Sequence, residues 1–325
     1  MAATGGATAR GARVLAERIR AEQKVLQRSA TRERRGKNSP TIVHLRELKS
    51  RVVREDPELV LINKPVGLPV HGGPTVQCSL ASLLPALSQL HFGRKAEPLK
   101  VCHRLDRDTT GALLLARSTE AAERVQAALR ERTAHRVYWA VCLGTPSPRE
   151  GILDIPIVEK ETPGPQKHYK MSLSPRFHVS KDGTVERRRV SRSAHEAVTR
   201  YRTLGEGSGA SLVELHPLTG IKHQLRVHLA LALKCPVLGD HKYSHLGRLA
   251  PQKLPNSLLK ALGITTQQAR SLLLHLHAVQ ITLPPSQGDS LTALQCHLPY
   301  HFLKTLRKLQ IPVPSLESLQ QDSEE

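Results

Sequence analysis

Lys100 to Arg117 have the sequence KVCHRLDRDTTGALLLAR, and the rest of the chain is organised around this stretch. Two short apolar runs enclose a polar loop, a pattern that predicts a strand, a loop and a second strand. The loop carries a central carboxylate, Asp106, between Arg104 and Arg107, and neighbouring cations favour the ionised form of an acid. An ionised carboxylate is suited to nucleophilic attack, although aspartates in turns also accept hydrogen bonds from their own backbone. The stretch therefore leaves two interpretations of Asp106 open, a nucleophile and a turn residue.

The chain of 325 residues is strongly basic, with 48 lysines and arginines against 28 aspartates and glutamates. A net charge of +20 favours nucleic acid over a membrane surface as partner, because basic side chains release the counterions condensed on phosphates. The positive charge is spread over the chain and is not confined to one end. Composition therefore predicts a nucleic-acid-binding protein, and an ordinary domain with a basic tail is the alternative.

Metal and disulfide chemistry are not expected from the sequence. The five cysteines are widely spaced and form no CxxC pair, which argues for a reducing compartment and against a zinc ribbon or disulfide framework. His223 and His228 would not share one face of a helix, so a metal pair is not predicted there. Since no apolar run approaches the roughly 20 residues that a membrane span needs, no span is expected either.

The chain divides into a basic N-terminal arm (residues 1–48), a large domain (49–310) and a C-terminal tail (311–325). The first sixteen residues contain no acid and are rich in alanine, glycine and threonine, which is typical of a mitochondrial targeting segment. A basic arm that touches RNA explains them nearly as well. Within the large domain, the basic and proline-bearing residues 159–193 predict a flexible insertion that contacts either RNA or solvent.

Apolar periodicity predicts many short strands and a few helices without strict βαβ alternation. Residues 135–144 alternate, which places Tyr138 on the face opposite the apolar row. Residues 220–234 predict a helix whose Arg226 is free to face a site near the helix start. Together these patterns predict an α+β fold with a mixed, mostly antiparallel sheet and flanking helices.

Three stretches together resemble one family, the RluA-type RNA pseudouridine synthases. HRLDRDTTGALLLAR resembles the family's aspartate loop, with Thr110 where serine is usual. HRVYWAVCLG resembles its tyrosine strand, with Arg136 where lysine is common. PLTGIKHQLRVHLA followed by CPVLGDHKY resembles its TGRTHQIRVHL and GD-Y segments. The resemblance spans residues 50–305 and implies the pseudouridine synthase fold with a central RNA-binding cleft.

The resemblance implies a role for individual residues. Asp106 resembles the catalytic aspartate, Tyr138 the tyrosine beside the target base and Arg226 the arginine that pairs with the aspartate. Ile221 stands where the family has arginine, and Lys222 is the candidate replacement as a phosphate contact. Arg104, which resembles the residue that enters the RNA where the uridine has flipped out, belongs to the wider set of expected RNA contacts. These contacts are Arg104, Lys64, Arg107, Arg136, Lys222 and His223.

The implied reaction breaks the bond between a uridine base and its ribose, turns the base and rejoins it through carbon 5. Asp106 attacks the sugar or assists formation of a glycal, and Arg226 keeps it ionised and aimed through a bidentate contact. Tyr138 stacks on the base and takes part in proton transfer. Two other functions stay open, a silent RNA-binding or ribosome-assembly factor and a hydrolase that uses Asp108 as second acid.

The resemblance also sets expectations for substrate, partners and location. The expected substrate is mitochondrial rRNA or tRNA, with mRNA as the alternative. The expected location is the mitochondrial matrix, with the nucleus or cytoplasm as alternatives. We expect a monomer without cofactor or metal, whose partners are RNA and mitochondrial ribosome assembly factors.

Overall fold

A computed structural model of the chain describes residues 40–73, 76–162, 168–179, 185–187, 190–245, 249–285 and 292–315. The predicted N-terminal arm lies outside the described residues up to position 39, and so does the predicted tail beyond position 315. Within the ranges described, no helix combines the length and the apolar character that crossing a membrane requires.

The described helices are short. They are α1 (Pro40–Ser50), α2 (Leu80–Phe92), α3 (Thr119–Arg130), α4 (Gln224–Val227), α5 (Asn256–Leu262), α6 (Thr266–Ala269) and α7 (Tyr300–Lys308), with a π-helical turn at His228–Ala232. The first seven strands are β1 (Val52–Glu55), β2 (Leu59–Lys64), β3 (Lys100–Val101), β4 (Thr110–Ala116), β5 (His135–Leu143), β6 (Glu150–Asp154) and β7 (Ile157–Thr162). The others are β8 (His168–Leu173), β9 (Phe177–Val179), β10 (Val185–Arg187), β11 (Val198–Gly207), β12 (Ala210–Pro217), β13 (Leu276–Leu283) and β14 (Thr292–Gln295).

One large sheet carries the fold, with strand order β1-β2-β4-β13-β5-β12-β11-β6, β3 beside β4 and β14 beside β13. Strands β4 and β13 pair in parallel, whereas the hairpins β1–β2 and β11–β12 and the central pairs β5–β12 and β5–β13 are antiparallel. The predicted α+β class with a mixed, mostly antiparallel sheet is confirmed.

Helices cover both faces of the large sheet. On one face α1, α2 and α3 pack against β2 and β4, and β4 is buried along its whole length. On the other face α5 and α7 pack against β5. The alternation predicted for β5 is confirmed, because Tyr138 and Trp139 belong to different cores. Successive side chains of a strand point to opposite faces, so a strand covered on both sides is apolar on both.

A third, small core holds α4 in place. Ile157 and Met171 of the β7–β8 hairpin pack there against Val227, Ala230 and Tyr243. The hairpin lies largely within the segment for which the sequence showed little periodicity, and β9 and β10 form a second hairpin in the same segment. The buried residues of β7 and β8 do not alternate regularly with exposed ones, so these strands carry too little pattern to be recognised before their packing partners are known.

The helix predicted over residues 220–234 is shorter than expected and is not α-helical throughout. Helix α4 covers only Gln224–Val227 and passes into the π-helical turn His228–Ala232. Before the helix, His223 adopts a left-handed backbone conformation with φ of 57°. Such a conformation is uncommon for a residue other than glycine, and residues with unusual backbone conformations are concentrated at functional sites.

Candidate active site

The predicted polar loop connects β3 to β4 and opens into a pocket at the end of the sheet. Gly111 fixes the point where the loop enters β4, since its φ is 109° and a side chain there would lie 2.2 Å from the carbonyl oxygen of Ala278. The start of β4, where the loop ends, is therefore packed directly against β13. Tyr138 of β5 and Arg226 of α4 line the same pocket as Asp106, so the structure brings the three predicted catalytic residues together.

Lys64 anchors this loop from beneath. Its ammonium group is fully buried and donates hydrogen bonds to the carbonyl oxygens of Pro65 and Leu68, each at 2.8 Å, and of Arg107 at 2.9 Å. Burial lowers the pKa of Lys64 to about 7. The prediction that Lys64 binds RNA is wrong, because its donors are used within the protein and the side chain does not reach the surface.

Arg226 binds a carboxylate that the sequence analysis did not single out. Its Nε and Nη2 donate to Asp240 Oδ2 and Oδ1 at 2.7 and 2.8 Å, so the bidentate contact predicted for Asp106 belongs to Asp240. The remaining nitrogen, Nη1, lies 3.7 Å from Asp106 Oδ2. Burial alone would lower the pKa of Arg226, but the hydrogen bonds and charge of Asp240 raise it above its ordinary value.

His223 lies on the other side of Asp106. Its Nε2 is 4.0 Å from Asp106 Oδ1, and its Nδ1 is 2.6 Å from the Tyr243 hydroxyl. That hydroxyl accepts a hydrogen bond from the backbone N–H of Met171, which leaves its own proton to be donated to Nδ1. Burial and nearby cations, foremost Arg226, lower the pKa of His223 to about 2. The imidazole is thus neutral, and the nitrogen nearer to Asp106 is Nε2.

The protonation equilibrium of Asp106 differs from the sequence expectation. Burial raises the pKa of Asp106 above its ordinary value, and the charges of Arg226 and Arg104 oppose the rise without cancelling it. The expectation that neighbouring cations dominate was wrong, because the fork of Arg226 is already engaged by Asp240 and burial disfavours charge. A carboxylate with a raised pKa is more basic when ionised, which suits both attack on a sugar carbon and removal of a proton.

Tyr138 closes the apolar wall of the pocket. The side chain is 6% exposed, and burial raises the pKa of its hydroxyl, which stays protonated at neutral pH. Two polar atoms in the lining of the same pocket, Thr109 Oγ1 and Arg136 Nε, are buried and have no hydrogen-bond partner among the described residues. Buried polar groups are rarely left unpaired, so these two atoms are exceptions in the wall of the pocket.

The other predicted RNA contacts surround the pocket mouth. Arg104 and Arg107 are exposed, and Arg107 binds its neighbour Asp108 through two hydrogen bonds of 3.0 Å. Lys222 is half exposed and pairs with Glu159 of β7 at 2.9 Å. A second cleft continues from Asp106 and is lined by cations that the sequence analysis missed, Lys242 and Arg270 among them. Lys242 lies within the third motif and Arg270 lies 27 residues beyond its end, and the two share the cleft only after folding.

His275 and His277 lie outside the pocket and are engaged in the core. His275 meets the carbonyl oxygen of Leu273 and the hydroxyl of Thr305, both at 2.8 Å, and His277 Nδ1 lies 2.7 Å from the Thr110 hydroxyl. Among the residues that the structure describes, no group of three or more histidine, cysteine, aspartate or glutamate side chains could hold a metal ion.

Comparison with known proteins identifies relatives across nearly the whole chain. Residues 58–231 match the family model described as RNA pseudouridylate synthase. A Xenopus tropicalis protein named Pseudouridylate synthase RPUSD4, mitochondrial, is 78% identical over 320 residues, covering 98% of each chain. The Homo sapiens protein of the same name is 49% identical over 265 residues, covering 81% of this chain and 70% of that protein. The solved structure of Human RNA Pseudouridylate Synthase Domain Containing 4 superposes with a TM-score of 0.75 at 45% identity, covering 85% of this chain and 98% of that one.

Proposed function

The chain belongs to the RNA pseudouridylate synthase family and is an isomerase, and on this premise we propose that Asp106 is the carboxylate that acts on the ribose of the target uridine. The observation that carries the proposal is the placement of a basic carboxylate between an arginine nitrogen and a neutral imidazole, in a pocket walled by Tyr138. Asp106 attacks carbon 1 of the ribose or removes the proton at carbon 2, and either step releases the base.

The surrounding side chains have distinct tasks in this reaction. Nη1 of Arg226 stabilises the charge on Asp106 without forming a close ion pair that would quench its reactivity. Tyr138 packs against the base while it turns, and its protonated hydroxyl is available for proton transfer. The burial of the site limits the access of water to the activated sugar, since addition of water to it would leave the uracil free and prevent formation of the new carbon–carbon bond.

Thr109 and Arg136 line the pocket, and their side chains suit a polar ligand such as a uracil or the phosphate beside it. Arg104 is exposed at the mouth of the same pocket and is placed to occupy the gap that a flipped nucleotide leaves in the RNA. Arg107, Lys242 and Arg270 line the adjoining cleft and supply positive charge along the path of the strand. The target nucleotide must leave its stack to reach Asp106, so the substrate is RNA in which one uridine can be extruded.

We propose mitochondrial rRNA or tRNA as the substrate and the mitochondrial matrix as the location. Both relatives described above are named mitochondrial, which supports a mitochondrial location for this protein. We further propose that the protein acts as a monomer and meets its RNA during ribosome assembly, since Asp106, Tyr138 and Arg226 of one chain line the same pocket. A reporter fused to residues 1–27 tests the location, and a diffuse cytosolic signal would contradict it.

The reaction itself is tested without knowing the target site. Joining the ribose to carbon 5 expels the hydrogen at that carbon, so RNA labelled with [5-³H]uridine releases tritium to water when pseudouridine forms. The substrate is mitochondrial RNA from cells that lack the protein, and carbodiimide-dependent reverse-transcription stops locate the product. Tritium release with discrete stops supports the proposal. RNA binding without release favours a silent binding factor, and free uracil in the medium favours a hydrolase.

A further inference from the structure

We propose that Asp240 is a positioning residue for the reaction. Its carboxylate fixes the positions of Arg226 and His223 relative to Asp106. The inference rests on the proposed function of Asp106 and adds a residue to it. Asp240 lies outside the aspartate loop and does not line the pocket that holds Tyr138. It acts through its neighbours and not by touching the substrate.

The first connection runs through the guanidinium group. Asp240 takes two of the three nitrogens of Arg226, and the geometry of a bidentate pair fixes the plane of the guanidinium. Only Nη1 is then left to face Asp106, at 3.7 Å. If Asp240 were absent, the freed fork could turn towards Asp106 and form the close ion pair that the structure avoids.

The second connection runs through Tyr243. Asp240 Oδ1 accepts hydrogen bonds from the backbone N–H groups of Lys242 and Tyr243, both at 3.0 Å. This turn places the Tyr243 hydroxyl against Nδ1 of His223, and the Tyr243 ring centroid lies 5.0 Å from Arg226 Cζ. Both groups that flank Asp106 are therefore held, directly or through one residue, by the same carboxylate.

Asp240 itself has no freedom to move. Its side chain is fully buried, and the preceding Gly239 has φ of 80° with space for no side chain, since an added carbon would lie 2.0 Å from the carbonyl oxygen of Leu273. The backbone N–H of Asp240 donates to the carbonyl oxygen of Val237. A fixed carboxylate transmits its position to Arg226, which is what precise orientation of a reactive group requires.

Burial is the main cause of the raised pKa of Asp106, and the charge of Asp240 adds to it. A role confined to stability would leave the pH dependence of the reaction unchanged, whereas a positioning role would not. Charged or titratable groups face Asp106 from its own loop, from β2 and β5, from α4 with the residue before it, and from the turn that contains Asp240. They are Arg104, Lys64, Tyr138, His223, Arg226, Asp240 and Tyr243.

The test compares the full-length protein with the variant Asp240→Asn in the tritium-release assay on mitochondrial RNA. Asparagine keeps Oδ1 for the turn but removes the charge and presents an N–H₂ group to Arg226 Nε. We expect the rate at saturating RNA to fall about 100-fold, because a misplacement of about 1 Å suffices for such a loss. RNA retention on filters should stay close to that of the unchanged protein, and the acid limb of the rate should move to lower pH.

Glu214→Gln is the matched control. Glu214 is also a buried carboxylate, and it binds Trp139, Arg202 and His216 on the opposite face of β5. This variant should lose stability without moving the acid limb. The proposal would be overturned by two findings together. The acid limb of the pH–rate profile of Asp240→Asn would coincide with that of the unchanged protein, and the rate of the variant would fall only in proportion to its folded fraction. Absence of tritium release from the unchanged protein would instead refute the proposed function.

If Asp240→Asn shows no cooperative melting transition, Tyr243→Phe replaces it. Phenylalanine leaves the bond between Asp240 and Arg226 intact and removes only the hydroxyl that meets His223. We expect a rate about tenfold lower with unchanged RNA retention, since His223 loses its fixed orientation. A rate equal to that of the unchanged protein would overturn the proposal by removing the second connection.

Discussion

Asp106 and Asp108 lie two residues apart in one loop, and the fold gives them opposite environments. The Asp108 side chain is 35% exposed and is bound by the adjacent Arg107 through two hydrogen bonds. The Asp106 side chain is 18% exposed and faces nitrogen atoms at 3.7 and 4.0 Å, neither within hydrogen-bond distance. A satisfied carboxylate is a structural group, whereas a desolvated carboxylate that is approached but not bound keeps its reactivity.

Each arginine in the comparison shows the same contrast. The guanidinium group of Arg107 binds the exposed Asp108, and this ion pair contributes little to stability because solvent screens it. The guanidinium group of Arg226 binds the buried Asp240 through two nitrogens and therefore does not form a close ion pair with Asp106. In the reaction that we propose, the inner pair would therefore set the chemistry and the outer pair would only shape the rim. This also weakens the hydrolase interpretation, in which Asp108 would have to act as the second acid.

The sharpest way to break this comparison is to remove each carboxylate in turn. We expect Asp106→Asn to reduce tritium release to background while RNA affinity stays nearly unchanged, because the reacting group is lost and the cationic surface is not. Asp108→Asn, the matched control, should leave release within about threefold, as expected for an exposed pair. Equal losses in the two variants would contradict the division into inner and outer carboxylates.

Exchange of each arginine for lysine gives the next largest difference. Lysine has one ammonium group and cannot hold both oxygens of Asp240 while presenting a third donor to Asp106. Arg226→Lys should therefore lower the rate about 100-fold through misplacement of charge. Arg107→Lys keeps a cation at the rim and should show nearly unchanged kinetics. Comparable losses would show that the rim arginine takes part in the reaction.

A stability measurement examines the anchor beneath the loop. Lys64→Met leaves the carbonyl groups of Pro65, Leu68 and Arg107 without their buried donor, and we expect the free energy of unfolding in urea to fall by about 3 kcal/mol. Lys222→Met removes a half-exposed cation that pairs with Glu159, and this variant should change the free energy of unfolding by less than about 1 kcal/mol. A smaller loss for Lys64→Met than for Lys222→Met would contradict the anchoring role.

The smallest expected effect concerns pH. Because the pKa of Asp106 is raised and the reaction needs the ionised carboxylate, activity is present above this pKa and is lost as the pH falls through it. The acid limb of the rate should lie above the ordinary aspartate value of about 3.9. Asp108→Asn should leave this limb in place, whereas a shift would mean that the outer carboxylate also sets the charge on Asp106.

The limits of sequence-based prediction follow from the same residues. The strand alternation that placed Tyr138 opposite Trp139 is a local property, and it was predicted correctly. Lys64 was expected to bind RNA because the sequence gives a lysine beside a loop and no information on depth. Asp240 lay within a recognised segment, but an acid in a turn has many local explanations, so the pairing with Arg226 could not be inferred.

The sequence by itself determined the fold class, the identity of the reacting carboxylate as a candidate and the basic character of the surface. These depend on periodicity, on residue type and on net charge, which are all properties of the chain read in one dimension. Only the tertiary structure decided that Arg226 is shared between two carboxylates, that Lys64 is buried and that Asp106 has a raised pKa. Burial and competition for a hydrogen-bond donor arise between segments far apart in the chain, and they exist only once those segments are packed together.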